Sequence, residues 1–535
     1  MRKILPLFLI LLLTAVSVSA SDVYILRIDT VDRFDRAEVA NLGVDITSVN
    51  LEEGWIWVRV PDWQLADVQK LGFSSEIVDV KAMPSGYEDY HDYAEQVAFV
   101  QDLAEQYPDI TDLSIVGQSL EGRDIYLLKI SDNPEVDETD EGAFFLVALH
   151  HAREILSPEV ALYTAQQLCE NYGVDEQTTF YVDNREIFVM PTINPDGGEY
   201  DHSGSWFQFW RKNRRVNQGS MCMGVDLNRN YGYLWGGVGS SPNPCSDTYH
   251  GAEAFSEPET RIVRDFLIAH ENITTLITLH THAKLILYPW GHQYPHIDNE
   301  IDYLTHKTLA EYMAEYNGYS PGQASTLYPT TGDTTDWSYG ELGIISFTFE
   351  LEPGQLDPLG FYPGQGVIPG ACQRNYEAIY LALGLSRDPS AVLASDLWRF
   401  DANLNGTSVT IDWASIIETE AAGWNVLRAE EGSKDYTQLN DELIPAGQEE
   451  YSFTDTGLLE GITYQYIVEF VSNYPNGNRE FGPLTVEMPG GDDDTIDDDD
   501  DQTDDDAIDD DAADDDDNDD GDDDDDDDDD DGCGC

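Results

Sequence analysis

The sequence has few cysteines and few basic residues, and after its first twenty residues it contains no long hydrophobic run. Six cysteines in 535 residues are too few for a fold built on disulfides, so the core must come from burial of apolar side chains. The 27 lysines and arginines stand against 105 aspartates and glutamates, which gives a net charge of −78. Because phosphate contacts need clustered basic side chains, this balance argues against nucleic-acid binding and against anionic membrane surfaces.

The first 20 residues have the composition of a secretory signal peptide. Met1-Arg2-Lys3 is basic, residues 4–16 are mostly apolar, and small residues precede a cut after Ala20. The apolar run is too short to span a bilayer. We therefore expect a secreted, extracellular protein without a membrane span, in a compartment that permits disulfides.

The chain from residue 21 is predicted to contain three folded domains. Residues 21–85 alternate strand and helix patterns in the order β-α-β-β-α-β, which is typical of a small ferredoxin-like unit, and end at the Pro-Ser-Gly break of residues 84–86. In residues 86–385, nearly continuous apolar strands alternate with helices, which predicts an α/β domain with a mixed, buried sheet. A linker at 386–390 leads to residues 393–489, whose short alternating strands predict a β-sandwich. Its runs Val-Thr-Ile-Asp-Trp and Gly-x-Thr-Tyr-x-Tyr-x-Val resemble fibronectin type III strands.

The C-terminal tail, residues 490–535, is dominated by aspartate. Residues 492–531 hold 30 aspartates and no lysine or arginine, so we expect the tail to be disordered. A solvated spacer is the simplest interpretation. Binding of calcium ions by the tail is an alternative, because calcium takes oxygen ligands. The tail ends Gly-Cys-Gly-Cys, and attachment of this end to the cell surface is an alternative.

His151 and Glu154 carry the strongest chemical signal. They lie three residues apart in the run Leu-His-His-Ala-Arg-Glu, between a predicted strand at 144–149 and a helical stretch at 155–168. This spacing lets an imidazole and a carboxylate converge on one ion.

A zinc hydrolase with one metal ion needs three protein ligands and an open position for water. His280 fits as the third ligand, because it closes the apolar run Leu-Ile-Thr-Leu where we expect a strand to end. His150 and His282 are nearby competitors. Glu350 ends the run Ser-Phe-Thr-Phe-Glu, where a buried charge is costly without a partner. A polarised water would be such a partner, with Glu350 as its general base.

Eight motifs in chain order connect these residues to a known family. They are Leu-His-His-Ala-Arg-Glu at 149–154, Pro-Thr-Ile-Asn-Pro-Asp-Gly at 191–197, Phe-Trp-Arg-Lys-Asn-Arg at 209–214, Gly-Val-Asp-Leu-Asn-Arg-Asn at 224–230, Leu-His-Thr at 279–281, Leu-Tyr-Pro-Trp-Gly at 287–291, Asp-Trp-Ser-Tyr at 336–339 and Phe-Thr-Phe-Glu-Leu at 347–351. Over about residues 87–385 the chain resembles the zinc carboxypeptidases of the carboxypeptidase A family, the funnelins or peptidase family M14. The resemblance implies an α/β fold with a mixed eight-stranded sheet flanked by helices.

The resemblance also implies one zinc ion in the catalytic domain, with the ligands His151, Glu154 and His280. The family's His-x-x-Glu spacing favours the second histidine of the run over His150, and the distance to Leu-Tyr-Pro-Trp-Gly excludes His282. Asp226 is implied to orient a ligand histidine.

Five more residues receive roles from the resemblance. Glu350 is implied as the base that activates water, and Arg211 as the cation that polarises the scissile carbonyl. The terminal carboxylate of the substrate would be held by Asn228, Arg229 and Tyr328. An arginine suits this role, because its planar fork matches a carboxylate bidentately.

The pocket for the last substrate side chain is implied at Leu287 and Gly291. Thr335 occupies a position that is apolar in branches preferring hydrophobic residues and aspartate in branches preferring basic ones. Asp333 adds a charge near that pocket. The pair resembles the bacterial carboxypeptidase T branch, so we expect release of hydrophobic and also basic residues from peptides or proteins with a free C-terminal carboxylate.

Three further features are implied. The family places a disulfide in the region of Cys222 and Cys245, whereas Cys169 and Cys372 either pair or remain buried thiols. The N-terminal unit would be a prodomain that covers the cleft until an activating protease cuts the connector. We also expect a monomer.

Two other functions compete with a secreted, zymogenic carboxypeptidase. The first is a hydrolase of cell-wall peptides that uses the same zinc site, since such peptides also offer carboxylates. The second is a surface adhesion protein with an idle peptidase fold. The presence of Glu350 together with all three ligands counts against the idle fold.

Overall fold

The computed structural model of the chain describes residues 23–78, 87–203, 208–354, 360–418, 421–473 and 478–490. The predicted signal peptide, the break at 84–86, the calcium-binding alternative and the rest of the tail after residue 490 fall outside the described residues.

The N-terminal unit is a four-stranded antiparallel sheet with two helices. Its elements are β1 (Val23–Asp29), α1 (Arg33–Ala40), β2 (Asp45–Asn50), β3 (Trp55–Pro61), α2 (Asp62–Lys70) and β4 (Ser75–Ile77), with the strands in the order β2-β3-β1-β4. The element order is the one that the sequence predicts. Ile56, Val58 and Val60 of β3 are fully buried in the core of this unit, as the two-residue period of a strand requires.

The central unit alternates strands and helices through most of its length. Its elements are α3 (Tyr93–Gln106), β5 (Thr111–Gln118), β6 (Asp124–Ile130), β7 (Gly142–Ala148), α4 (Leu156–Asn171), α5 (Glu176–Val182), β8 (Arg185–Met190), α6 (Pro195–Asp201), α7 (Pro258–Ala269), β9 (Ile273–Ala283), β10 (Leu285–Tyr288), α8 (Glu300–Asn317), β11 (Ser320–Gln323), α9 (Thr334–Leu342), β12 (Ile345–Gly354) and α10 (Ile368–Gly384). Short 3₁₀ turns lie at Leu227–Arg229, Ala324–Thr326, Gln365–Val367 and Pro389–Leu393.

These strands form one mixed sheet in the order β11-β10-β12-β9-β7-β8-β6-β5, which confirms the predicted sheet. Its centre is parallel, from β12 through β9 and β7 to β8. Both faces of the centre are covered. In β7, Phe144 and Leu146 belong to one hydrophobic cluster, whereas Phe145 and Val147 belong to another. Alternate residues of a strand point to opposite faces, so the sheet separates two cores.

The prediction that strands end at His280 and Glu350 was wrong. Strand β9 continues to Ala283 and β12 to Gly354, because the ladder between them continues through a bulge. His280 and Glu350 are direct partners in that ladder. The extended pairing therefore places the two residues opposite each other in neighbouring strands.

The C-terminal unit consists of two antiparallel sheets. Its strands are β13 (Ser395–Asn405), β14 (Ser408–Glu418), β15 (Ala421–Glu430), β16 (Thr437–Gln438), β17 (Tyr451–Asp455), β18 (Thr463–Ser472) and β19 (Arg479–Glu487). They are arranged as β13-β14-β17 and β16-β15-β18-β19 around Trp413 and Trp424, both fully buried. Among the helices of the described residues, none combines the length and the apolar character that crossing a membrane requires.

The predicted linker at 386–390 packs against the central unit. Ser386 is fully buried, and its carbonyl accepts a hydrogen bond from the Thr274 hydroxyl in β9. At Gly142, a β-carbon would lie 2.3 Å from the α-carbon of Arg387. A side chain at residue 142 would therefore displace the segment that leads to the C-terminal unit.

Candidate active site and metal centre

Three side chains of metal-ligand type converge beside the carboxyl end of β7. His151 and Glu154 lie in the loop between β7 and α4, and His280 lies in β9. Their ligand atoms are all within 4.8 Å of one another. Glu154 Oε1 is 2.7 Å from His151 Nδ1, and Glu154 Oε2 is 2.8 Å from His280 Nδ1. These are the three ligands that the sequence motifs imply.

The two competing histidines are not part of this cluster. His150 Nε2 lies 2.8 Å from the Tyr231 hydroxyl and His150 Nδ1 3.2 Å from the Thr278 hydroxyl. Burial lowers the pKa of His150 well below its ordinary value. His282 is buried and lines the adjacent cavity, and no described residue forms a hydrogen bond with its ring nitrogens.

The donor set fits zinc. Two imidazoles and a carboxylate are ligands found in catalytic zinc sites. Burial raises the pKa of Glu154, but His151 and His280 outweigh burial and hold that pKa well below its ordinary value. Burial lowers the pKa of His280. The cluster therefore favours an ionised carboxylate beside neutral imidazole at His280, the protonation states that bind a metal.

Asp226 connects the metal cluster to Arg211. Its Oδ1 lies 3.1 Å from His151 Nε2. Its Oδ2 accepts a hydrogen bond from Arg211 Nε at 3.0 Å and forms an ion pair with Arg211 Nη2 at 2.9 Å. Burial works against the charge of Arg211, but Asp226 and Asp45 outweigh it and raise the pKa of the guanidinium. Arg211 is thus a fixed cation next to the proposed metal site.

Glu350 is half-buried and lines the same cavity. Burial and the charge of Glu154 raise its pKa well above the ordinary value, although Arg211 opposes this rise. A metal cation held by the ligand cluster would oppose it further. The protonation state of Glu350 therefore depends on the charges that surround the cavity.

Arg229 and Asn228 are held in place by backbone and hydroxyl groups. Arg229 donates from Nε to the Gly239 carbonyl at 3.0 Å and from Nη1 to the Asn228 carbonyl at 2.7 Å. Asn228 Oδ1 accepts two bonds from Thr334, both at 2.9 Å. Within the described ranges no carboxylate lies within 4.0 Å of Arg229. Tyr328 is half-buried, and burial raises the pKa of its phenol.

A cavity of about 110 Å³ joins these groups. Ten of the predicted site residues line it: His151, Glu154, Arg211, Asn228, Arg229, Leu287, Tyr328, Asp333, Thr335 and Glu350. His280, Asp226 and Gly291 stand behind this lining. A β-carbon on Gly291 would lie 3.3 Å from Asp333 Oδ2, so this glycine abuts the same end of the cavity.

Asp333 is the N-cap of α9. Its Oδ1 accepts from the Asp336 backbone N–H at 2.9 Å and from the Thr335 hydroxyl at 3.1 Å. Burial and the charge of Asp336 raise the pKa of Asp333 to about 7.

The N-terminal unit contributes residues to this cavity. Ile46, Thr47, Ser48 and Val49 of β2 line it together with the residues above. Asp45 also pairs with Arg153, which lies between the ligands His151 and Glu154 in sequence. The position of Arg153 inside the ligand motif was a signal, but nothing in the sequence points to a partner 108 residues away.

The cysteines take two different states. Cys222 and Cys245 form a disulfide, as the resemblance implies. Cys169 and Cys372 are buried free thiols, so the alternative that these two pair was wrong.

Comparison with known proteins decides the family. The sequence profile of the family described as zinc carboxypeptidase matches residues 96–378, more than half of the chain. The chain belongs to this zinc carboxypeptidase family. It is therefore a metallocarboxypeptidase, and zinc is the metal that the family implies.

Individual relatives agree with this assignment. A zinc carboxypeptidase of Saccharothrix mutabilis subsp. capreolus is 38% identical over 334 residues, which cover 61% of this chain and 76% of the relative. Carboxypeptidase B of Homo sapiens is 34% identical over 336 residues, covering 62% and 78%. Carboxypeptidase A1 of Sus scrofa is 35% identical over 290 residues, covering 53% and 67%.

The solved structures agree on the fold. The crystal structure of carboxypeptidase A from Helicoverpa armigera aligns with a TM-score of 0.59 at 25% identity, covering 69% of this chain and 98% of that one. The expected likeness to the carboxypeptidase T branch stays a prediction.

Proposed function

We propose that the protein removes C-terminal residues from peptides and proteins, using one zinc ion held by His151, Glu154 and His280. The observation that carries this proposal is the cavity itself. The ligand cluster opens onto the same cavity as a carboxylate, Glu350, and two arginines, Arg211 and Arg229. These are the groups needed to move a proton, stabilise an oxyanion and hold a terminal carboxylate.

Zinc bound at this cluster supplies a Lewis acid that polarises water and the scissile carbonyl. We assign Glu350 as the general base that accepts a proton from the attacking water and passes it to the leaving amine. Its place in the same cavity as the ligand cluster supports this role. Arg211, held by Asp226, donates hydrogen bonds to the oxyanion.

The terminal carboxylate of the substrate is assigned to Arg229, Asn228 and Tyr328. Support comes from Arg229, whose guanidinium is anchored by carbonyl groups and has no carboxylate partner among the described residues. The last side chain is assigned to the end of the cavity at Leu287, Gly291 and Thr335, with Asp333 nearby. Leu287 suits apolar side chains, and Asp333 offers a carboxylate to lysine or arginine.

We further propose that the uncut chain is a zymogen. Support comes from three contacts of the N-terminal unit. Strand β2 lines the cavity, and Asp45 makes two hydrogen bonds with Arg153 at 2.7 and 3.0 Å. Arg36 donates hydrogen bonds to the carbonyls of Leu327 and Thr326 at 2.6 and 2.9 Å. These two residues directly precede Tyr328, which is assigned to the terminal carboxylate of the substrate. A protease would activate the enzyme by cutting between about residues 80 and 90.

We also propose that the protein is exported and that its C-terminal unit is a fibronectin III-like β-sandwich. The Cys222–Cys245 disulfide supports an oxidising compartment, in agreement with the predicted signal peptide. The two antiparallel sheets of the C-terminal unit support a fibronectin III-like β-sandwich. A monomeric state stays a prediction.

The test is turnover of peptides by zinc-loaded protein cleaved between about residues 80 and 90. Glu350→Gln should retain zinc in metal analysis but lose about 10²–10⁴-fold in kcat, because it removes the general base. Glu315→Gln, an exposed change on α8, is the matched control and should keep full activity. Chelation should abolish release of the last residue, and zinc should restore it. Near-normal kcat in Glu350→Gln, or equal cleavage of C-terminally amidated peptides, would contradict the proposal.

A further inference from the structure

Asp201 is a buried carboxylate to which the proposed reaction gives no role. It is the last residue of α6 and is fully buried. Its Oδ1 accepts a hydrogen bond from the backbone N–H of Trp210 at 2.6 Å. The hydroxyl of Tyr362 donates to the same carboxylate, at 2.9 Å from Oδ1 and 2.8 Å from Oδ2. One side chain therefore connects two segments that are distant in the sequence.

Each of these segments contributes a residue to the cavity. Arg211 directly follows Trp210, and Phe361 directly precedes Tyr362. Both Arg211 and Phe361 line the cavity. The segments also contact each other, because the ring of Phe209 lies edge-on to Phe361 at 5.7 Å and to Tyr362 at 5.3 Å. The carboxylate thus fixes the direct neighbours of two cavity residues.

The backbone beside Trp210 needs such a fixed point. Phe209 has a φ of 58°, in the left-handed region that bulky residues rarely adopt. A strained conformation of this kind persists only where the surroundings hold it in place. The hydrogen bond from the next residue to Asp201 is one such contact, and the packing of the Phe209 ring is another.

Stability alone does not account for an aspartate at this place. Burial raises the pKa of Asp201 to about 7, although the hydrogen bonds from Trp210 and Tyr362 oppose the rise. A carboxyl group with a raised pKa in the folded state weakens the fold once it is ionised. Its two oxygens nevertheless offer acceptors to donors on two different segments.

We propose that Asp201 is a positioning residue, which holds Arg211 and Phe361 in the geometry that the reaction needs and acts through Trp210 and Tyr362. This inference rests on the proposed function. Arg211 is assigned to the oxyanion, so its displacement should lower kcat. Phe361 forms a wall that bound substrate meets before and during the reaction, so its displacement should raise KM.

The first experiment measures kcat and KM for a peptide with C-terminal phenylalanine, using zinc-loaded protein cut between about residues 80 and 90. Tyr362→Phe keeps the bond between Trp210 and Asp201, so it should raise KM about three- to tenfold and spare kcat. Asp201→Ala breaks both contacts and should also lower kcat about 10–100-fold. Asp201→Asn keeps Oδ1 as an acceptor for Trp210 and should retain most of kcat. Unchanged kinetics in Asp201→Ala, or an equal loss of kcat in Tyr362→Phe, would overturn the proposal.

A second hydroxyl–carboxylate pair provides matched controls. The Tyr172 hydroxyl donates to Asp183 Oδ1 at 2.9 Å, and neither residue is among the described residues that line the cavity. Tyr172→Phe and Asp183→Ala should leave kcat and KM unchanged. Asp201→Ser, whose shorter side chain cannot bridge the two segments, serves if the alanine variant fails to fold. A loss of kcat in the Asp183 variant equal to that in the Asp201 variant would show a general effect on the fold and overturn the positioning role.

Hydrogen exchange separates this inference from the proposed function. In Asp201→Ala the amide of Trp210 loses its acceptor, so its exchange should become at least about tenfold faster. Tyr362→Phe should leave this amide slow. The measurement needs neither turnover nor substrate, so an inactive protein would refute the proposed function while exchange still shows whether Asp201 fixes the Trp210 backbone. Unchanged exchange at Trp210 in Asp201→Ala would overturn the inference.

Discussion

The charge on Asp333 should control how well the enzyme releases C-terminal lysine and arginine, and this charge should depend on pH. The side chain is 6% exposed and already accepts bonds from Asp336 and Thr335. Burial and Asp336 raise its pKa from 3.8 to about 7, which corresponds to roughly 4 kcal/mol against ionisation. Because a carboxyl group is protonated below its pKa, Asp333 attracts a cationic side chain mainly above pH 7.

The assay compares kcat/KM for peptides that differ only in a C-terminal lysine or phenylalanine, between pH 6 and pH 8.5. About a tenth of Asp333 is ionised one unit below its pKa, so the lysine-to-phenylalanine ratio should rise about tenfold across this range. Asp333→Asn should hold the ratio at its low value at every pH and spare phenylalanine release. Asparagine also caps helices well, so α9 should keep its N-cap. Glu341→Gln, an exposed change on the same helix, should leave the ratio rising with pH.

Two results would refute this reasoning. A ratio that stays constant with pH in the unmodified enzyme would show that the charge of Asp333 does not reach the substrate. If Asp333→Asn lowered release of both residues equally, the side chain would act as a helix cap alone.

Three further predictions concern latency and stability. Asp45→Asn should raise the peptidase activity of the uncut chain, because breaking a buried ion pair costs about 3–5 kcal/mol. Glu76→Gln changes an exposed ion pair of the same unit, so it should leave the uncut chain latent. Burial raises the pKa of fully buried Glu259 to about 8, so its ionisation destabilises the fold as pH rises from about 4.5 to about 8. Urea unfolding should therefore show Glu259→Gln gaining up to roughly 5 kcal/mol over the native protein between pH 4 and pH 9. Gly142→Ala should lower stability by about 1–3 kcal/mol in thermal melts, because its β-carbon would meet backbone at 2.3 Å, while Gly366→Ala, with open space around it, should change little.

Each of these has a clear opposite outcome. Continued latency in Asp45→Asn would show that the ion pair does not hold the N-terminal unit in place. A stability difference for Glu259→Gln that does not change with pH would mean that this carboxyl group stays in one protonation state. Equal melting temperatures for Gly142→Ala and Gly366→Ala would mean that the segment after α10 moves freely.

Much of the local structure was predictable from the sequence. The alternation in residues 55–60 predicted a strand, and the apolar run before His151 predicted a buried strand followed by a helix. Three-residue spacing placed His151 and Glu154 in one short loop, where they face each other. These features depend on residues close in sequence, whose periodicity and spacing determine local backbone form.

Only the tertiary structure decided which distant residues meet. Strand β9 lies between β7 and β12, so His280 joins the ligand loop on one side and pairs with Glu350 on the other. The same sheet order leaves His150 against Tyr231 and outside the metal cluster.

The contact between Asp45 and Arg153 shows the limit most clearly. It joins residues 108 positions apart, one in strand β2 of the N-terminal sheet and one in the loop between β7 and α4. A sequence shows that each residue carries a charge, but the pairing of these charges depends on how the N-terminal sheet docks over the cavity. Local periodicity carries no information about that docking, because burial and complementary charge between whole surfaces determine it.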